Sequence, residues 1–162
     1  MTRLPVLGWK EEASLPEWGI KRLRVKLDTG AKTSAIHVSS MEVVGHHELD
    51  GHRLPVLDLV IPLSRIRPDR VARTRAKVVG YRSVRDTGAN AERRPLVRTR
   101  LVCGPIDADI EVTVTDRTGM IFRMILGRQA LSGHAVVDPE QGYTTARSAK
   151  RSVDDASSRR VR

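Results

Sequence analysis

A single cysteine, Cys103, stands in a chain of 162 residues, so no internal disulfide can form and a reducing, cytoplasmic setting is expected. No staple is required either, because a domain of this length buries enough surface to hold its own core. No run approaches the roughly 20 apolar residues of a membrane-spanning helix, and no membrane partner is expected. The opening MTRLPVLGWKEE lacks the basic-then-apolar pattern of a secretory signal. Aromatic residues are only 3% of the chain, which argues against platforms for stacking single-stranded bases. Helix signals are scarce as well, and no solenoid-length repeat is present.

Histidine is sparse and badly spaced for metal chemistry. The five are His37, His46, His47, His52 and His134. A zinc peptidase needs ligands at a fixed pitch, such as His-Glu-x-x-His on a helix. His47-Glu48-Leu49-Asp50-Gly51-His52 is one residue too long, and Asp50-Gly51 reads as a turn. No metal site is expected, and no cofactor, since nothing resembles a Walker loop. Cys103-Gly104-Pro105 reads as a small buried residue before a turn rather than a nucleophile. Ser34 and Ser39-Ser40 have no elbow motif around them.

What the chain does have is positive charge, unevenly spread. The formal net charge is +10. Residues 64–100 hold twelve Lys/Arg against three Asp/Glu, whereas the first 63 residues balance at eight against eight. Such a segment binds nucleic acid, steers an acidic peptide, or is simply a solvated arginine-rich surface.

It also has strand signals. Leu23–Leu27, Leu96–Val102 and Ile110–Thr115 alternate at period two, and Leu54–Ile61, Ala76–Tyr81 and Ile121–Leu126 are short apolar runs. Turn sequences such as HELDGH, RDTGAN, CGPIDAD and DRTG separate most of them. The pattern predicts an all-β sandwich or closed barrel. Leu15–Gly19 reads as a loop, and Arg128–Leu131 as one short helix near the C-terminus. From Thr144 the sequence turns to Ser, Arg and Ala, which predicts an ordered domain over 1–143 and a disordered basic tail over 144–162.

The sharpest chemical feature is Leu27-Asp28-Thr29-Gly30-Ala31, an aspartate at the end of a hydrophobic strand followed by a turn. Hydrolysis without a metal or a nucleophilic side chain needs water held between two carboxylates, one ionised and one protonated. Carboxylates about 3 Å apart share a proton in that way. A second Asp86-Thr87-Gly88 follows 58 residues later, but among charged residues, as at a polar hairpin tip. A partner carboxylate therefore comes from Asp86 or, more simply, from Asp28 of a second copy.

Gly8-Trp9-Lys10-Glu11-Glu12, Ser14-Leu15-Pro16 and Lys26 through His37 resemble a bacterial and archaeal family long labelled "ATP-dependent zinc protease" and now described as retropepsin-like aspartic endopeptidases. Glu92–Pro95, Thr113–Met120, Ile125–Leu131 and Val136–Pro139 are similar to the same family, so the likeness covers residues 6–140. Members often occur beside ATP-grasp ligases that add glutamate to a ribosomal protein.

The resemblance implies an acid-protease closed barrel with one short C-terminal helix and an active site completed by homodimerisation. Asp28 would be the catalytic carboxylate, with Thr29, Gly30 and Ala31 in its loop. Leu126 and Gly127 would support the loop from below, and Arg128 would be the arginine that follows this glycine. Retroviral enzymes place an aspartate after Asp-Thr-Gly-Ala, whereas this chain has Lys32. Lys32, Arg93 and Arg94 become candidate contacts to a peptide or protein substrate, glutamate-rich if the charge is a guide, and the hairpin around Arg82–Arg94 becomes the candidate flap. The rival reading is a non-enzymatic β-domain that binds RNA or the ribosome through its arginine-rich segment.

Overall fold

The computed structural model describes residues 3–85, 91–116 and 119–146. The strands run β1 (Val6–Leu15), β2 (Ile20–Leu27), β3 (Ser34–His37), β4 (Ser40–Leu49), β5 (His52–Pro62), β6 (Val71–Arg85), β7 (Ala91–Cys103), β8 (Ile106–Thr115), β9 (Met124–Leu126) and β10 (Val136–Gly142). One helical turn, α1 (Arg128–Leu131), follows β9, at the position the sequence predicts. Leu15–Gly19 is more ordered than the expected loop. Pro16–Trp18 forms a 3-10 turn ended by Gly19 at φ +68°, with Trp18 buried.

All ten strands belong to one sheet, in the order β10-β1-β2-β9-β3-β8-β7-β6-β5-β4. β1 also touches β7 at the single pair Ser14↔Val102. That pair brings the six strands from β1 to β7 round upon themselves. The all-β class therefore holds, while closure of a barrel rests on that one pair.

The core follows from strand alternation. Leu23, Val25 and Leu27 of β2 are buried while Arg24 between them is exposed. Leu57, Leu59 and Ile61 of β5, and Leu101 and Cys103 of β7, face the same interior. β3 differs: it lies between β8 and β9, and all four of its residues are buried. A strand covered on both faces cannot alternate, which is why it gives no period-two signal. β4 and β10 are the two ends of the sheet order and are mostly exposed. The β4–β5 hairpin turns at Asp50 (φ 51°) and Gly51 (φ 77°), a two-residue turn that needs both in the left-handed region. Ile121–Leu126 is only half a strand: β9 begins at Met124, and Ile121 is exposed.

The chain past the expected domain boundary is tied down at its start. Thr144 and Thr145 donate backbone and hydroxyl hydrogen bonds to the Glu11 carboxylate, which also accepts from Gly8 N–H at 2.7 Å. Residues 147–162, the rest of the expected tail, lie outside the described residues, as does Asp86-Thr87-Gly88. Among the described residues no helix is long and apolar enough to cross a membrane.

Candidate active site

Strand order explains the geometry around Asp28. β9 lies between β2 and β3, parallel to β2 and antiparallel to β3. The chain leaving β2 at Leu27 must therefore step over the end of β9 to enter β3 at Ser34. Residues 28–33 make that step. The register Leu27↔Leu126 is extended by Asp28 N–H donating to the Leu126 carbonyl at 2.8 Å.

Gly127 forms the floor of the crossing. A Cβ on it would stand 2.7 Å from the Thr33 carbonyl carbon and 2.9 Å from the Lys32 oxygen, closer than any side chain is tolerated. Only glycine permits this approach. The Gly127 N–H donates to the buried Ser34 hydroxyl at 3.1 Å, and Thr113 Oγ1 donates to the Ser34 carbonyl at 3.3 Å. Beyond the glycine, Arg128 N–H and Gln129 N–H donate to the Ala31 and Lys32 carbonyls at 2.8 and 3.1 Å. The first N–H groups of α1 have no intrahelical acceptors, so the loop satisfies them and is fixed in return.

The Asp28 loop is thus held on both strands and from below. Asp28 is partly exposed. Its Oδ1 accepts from Gly30 N–H at 3.0 Å, and Ala31 N–H donates to the Asp28 carbonyl at 3.2 Å. The Arg128 guanidinium donates to the Thr29 carbonyl at 3.1 Å. Arg128 therefore braces the loop through a main-chain oxygen. Lys32 itself sits on the same loop and is exposed. Asp28, Thr29, Gly30, Ala31, Leu126, Gly127 and Arg128 are brought together as one unit.

Arg93 and Arg94 are engaged within the β6–β7 hairpin. The Arg93 guanidinium lies 4.0 Å from the Tyr81 ring centroid, and Arg94 Nε donates to Glu92 at 3.0 Å. The hairpin expected to be the flap exists, pairing Arg82↔Arg94 through Arg85↔Ala91; its tip lies outside the described residues. The positive segment is not a single bare surface. Arg75, Arg82, Arg94, Arg98 and Arg100 each pair with a carboxylate.

The histidines lie in strands and turns. His47 bonds the Val78 carbonyl at 2.7 Å, and buried His37 lies 3.6 Å from Asp116. Among the described residues no three His, Cys, Asp or Glu side chains gather as a metal site. Burial, with a smaller contribution from the Glu11 charge, pushes the Cys103 thiol up to about 12, as befits a packed residue rather than a nucleophile.

Two contributors are not evident from the sequence. Ser34 reads there only as a nucleophile without an elbow, although a polar residue at the head of a fully buried strand signals a structural hydrogen bond. Glu11 reads there only as part of a motif. It is fully buried. Burial raises its pKa, but the donors from Thr144, Gly8 and Thr145 outweigh that and hold it below the ordinary value.

The chain is similar to known proteins over most of its length. A probable alpha-L-glutamate ligase from Desulfotalea psychrophila is 35% identical over 134 residues, covering 83% of this chain and 28% of that protein. Its counterpart from Parasynechococcus marenigrum is 36% identical over 145 residues, covering 88% and 30%. The chain thus spans less than a third of the curated relatives it matches. The crystal structure of a Legionella pneumophila protein of unknown function (DUF785) superimposes with a TM-score of 0.68 at 27% identity, over 87% of this chain and 98% of that one. Residues 6–148 match the model of a family described as RimB-like, retropepsin-like aspartic endopeptidase, and the chain belongs to that family.

Proposed function

We propose that the protein is an aspartic peptidase whose active site is completed when two copies bring their Asp28 carboxylates together. The observation that carries this reading is the loop at Asp28: its carboxylate stands at a strand end, one oxygen held by Gly30 N–H, over a glycine floor that fixes the backbone. One such carboxylate per chain makes half of an acid–base pair, and a two-fold axis supplies an equivalent half. One Asp28 then takes a proton from water while the other donates to the carbonyl or leaving nitrogen of a peptide, isopeptide or related amide. The titration belongs to the pair rather than to either residue.

In this reading the six-strand ring works as a retropepsin-like closed barrel, and the β6–β7 hairpin acts as the flap over the substrate. Lys32, Arg93 and Arg94 favour acidic, glutamate-rich peptides. Digestion of such peptides by wild type and by Asp28→Asn, with a chelator and an aspartic-protease inhibitor in parallel, tests the reading. Loss with Asp28→Asn and with the inhibitor, but not with the chelator, supports it. Full activity of Asp28→Asn overturns it.

A further inference from the structure

The sheet ends differently at its two sides. β10 is seven residues long and carries Pro139, which cannot donate to a further strand. β4 is ten residues long, has only β5 beside it, and contains no Pro, Lys or Arg. Folded proteins blunt a free edge with those residues. Their absence is local: the chain holds 29 Lys and Arg in 162 residues, yet residues 33–52 hold none.

The register shows what that edge lacks. Met41 lies opposite Leu59, and Val43 opposite Leu57, which in turn lies opposite Ala76. Leu57 and Leu59 are 2% and 1% exposed, whereas Met41 and Val43, beside them on the same face, are 42% and 59% exposed. The apolar face of the sheet therefore runs on to β4 and stops there without cover.

On the opposite face the cross-strand row reads Arg75, Asp58, Glu42. Arg75 Nε meets Asp58 Oδ1 at 2.8 Å. Glu42, next in the row, faces the like charge of Asp58 and has no ion pair among the described residues. Like charges directly opposite one another are destabilising. A cation on the open side of Glu42 would offset that.

The edge is also fixed in shape. A bulge between Val43 and Gly45 turns the strand, so residues 40–43 are its straight portion. Beyond the bulge, His47 bonds the Val78 carbonyl at 2.7 Å and ties the hairpin to β6.

Charge decides among occupants. A second copy pairing through the same straight portion would bring two Glu42 side chains together, and an acidic strand would be repelled in the same way. A strand with a basic side chain beside Glu42 and aliphatic ones beside Met41 and Val43 completes both faces at once. We propose that residues 40–43 of β4 receive an extended segment of a partner protein by strand addition, a segment in which Lys or Arg alternates with aliphatic residues. The proposal does not depend on catalysis at Asp28.

Fluorescence anisotropy tests it with three labelled peptides: Lys-Val-Lys-Val-Lys-Val-Lys, its counterpart with Glu in place of Lys, and its counterpart with Pro in place of Val. The last keeps the charge but cannot form a ladder. Full-length wild type and Asp28→Asn are used, the latter to exclude hydrolysis of the probe, and both are expected to bind the first peptide equally. That equality lets the result be read whether or not the peptidase reading holds. The Glu and Pro peptides should bind about tenfold more weakly or worse. Glu42→Lys and Val43→Lys, both at exposed positions, should each weaken the first peptide about tenfold, while Glu140→Lys, the same charge change on β10, should not. Absence of binding overturns the proposal. So does equal binding of the Pro peptide, which would mean attraction by charge alone, or wild-type affinity in both β4 variants. Self-association that Val43→Lys abolishes, without peptide binding, would assign the edge to a second copy and overturn it too.

Discussion

The Cα of Gly127 lies so close beneath Thr33 that an added methyl would stand 2.7 Å from a main-chain carbon and 2.8 Å from its oxygen. Both neighbours are backbone, in a loop pinned by the Arg128 and Gln129 N–H groups, so neither can swing aside. Gly127→Ala is expected to destabilise the fold by about 1–3 kcal/mol and to displace the Asp28 loop. Thermal unfolding, with peptide hydrolysis alongside, measures both. A variant of wild-type stability would mean that the loop yields more easily than its hydrogen bonds imply.

The proposed sharing of one active site by two copies is open to a mixing experiment. If each site needs two Asp28 residues, heterodimers of wild type with Asp28→Asn are inactive. After exchange at equal concentrations, activity per total protein should fall to about a quarter, following the square of the wild-type fraction. A fall to one half would show that each chain works alone.

Glu11 should make stability sensitive to acid. Its folded pKa lies below the ordinary 4.5, so its contribution is fully present above that value and is lost as pH falls through the folded one. Glu11→Gln is expected to cost about 1–3 kcal/mol at neutral pH, because buried donors lose a charged acceptor. It should also flatten the decline of stability below pH 4.5. Urea unfolding from neutral to acid pH reads both effects.

Cys103 should be silent toward thiol reagents. With the thiol pushed up to about 12 and no exposed surface, virtually none is thiolate at neutral pH. Labelling should proceed only in denaturant; fast labelling of the native protein would contradict the packing of β7.

The sequence conveyed those parts of the fold in which one strand face is buried. Leu23, Val25 and Leu27 alternate because Arg24 and Lys26 point away from the core, and β2 and β7 were legible for that reason, whereas β5 was legible as a short apolar run. β3 was silent because both its faces are covered. β4 and β10 were silent because, at the ends of the sheet, they bury little. The Asp28 loop could be found because an aspartate at a strand end before a Thr-Gly turn marks a position that backbone geometry restricts, whereas its Leu126-Gly127-Arg128 support was indicated by the family resemblance. The row of Arg75, Asp58 and Glu42 was not legible, because its members come from three strands and meet only through the register.

The crossing over β9 also sets a clock. The loop is laid down early in the chain, whereas its floor at Gly127 and its brace at Arg128 are translated some hundred residues afterwards. A nascent or truncated polypeptide that ends before Met124 carries the aspartate without the platform beneath it. Fragments that end before Met124 should therefore lack a fixed Asp28 loop, and the proposed hydrolysis should require residues through Arg128.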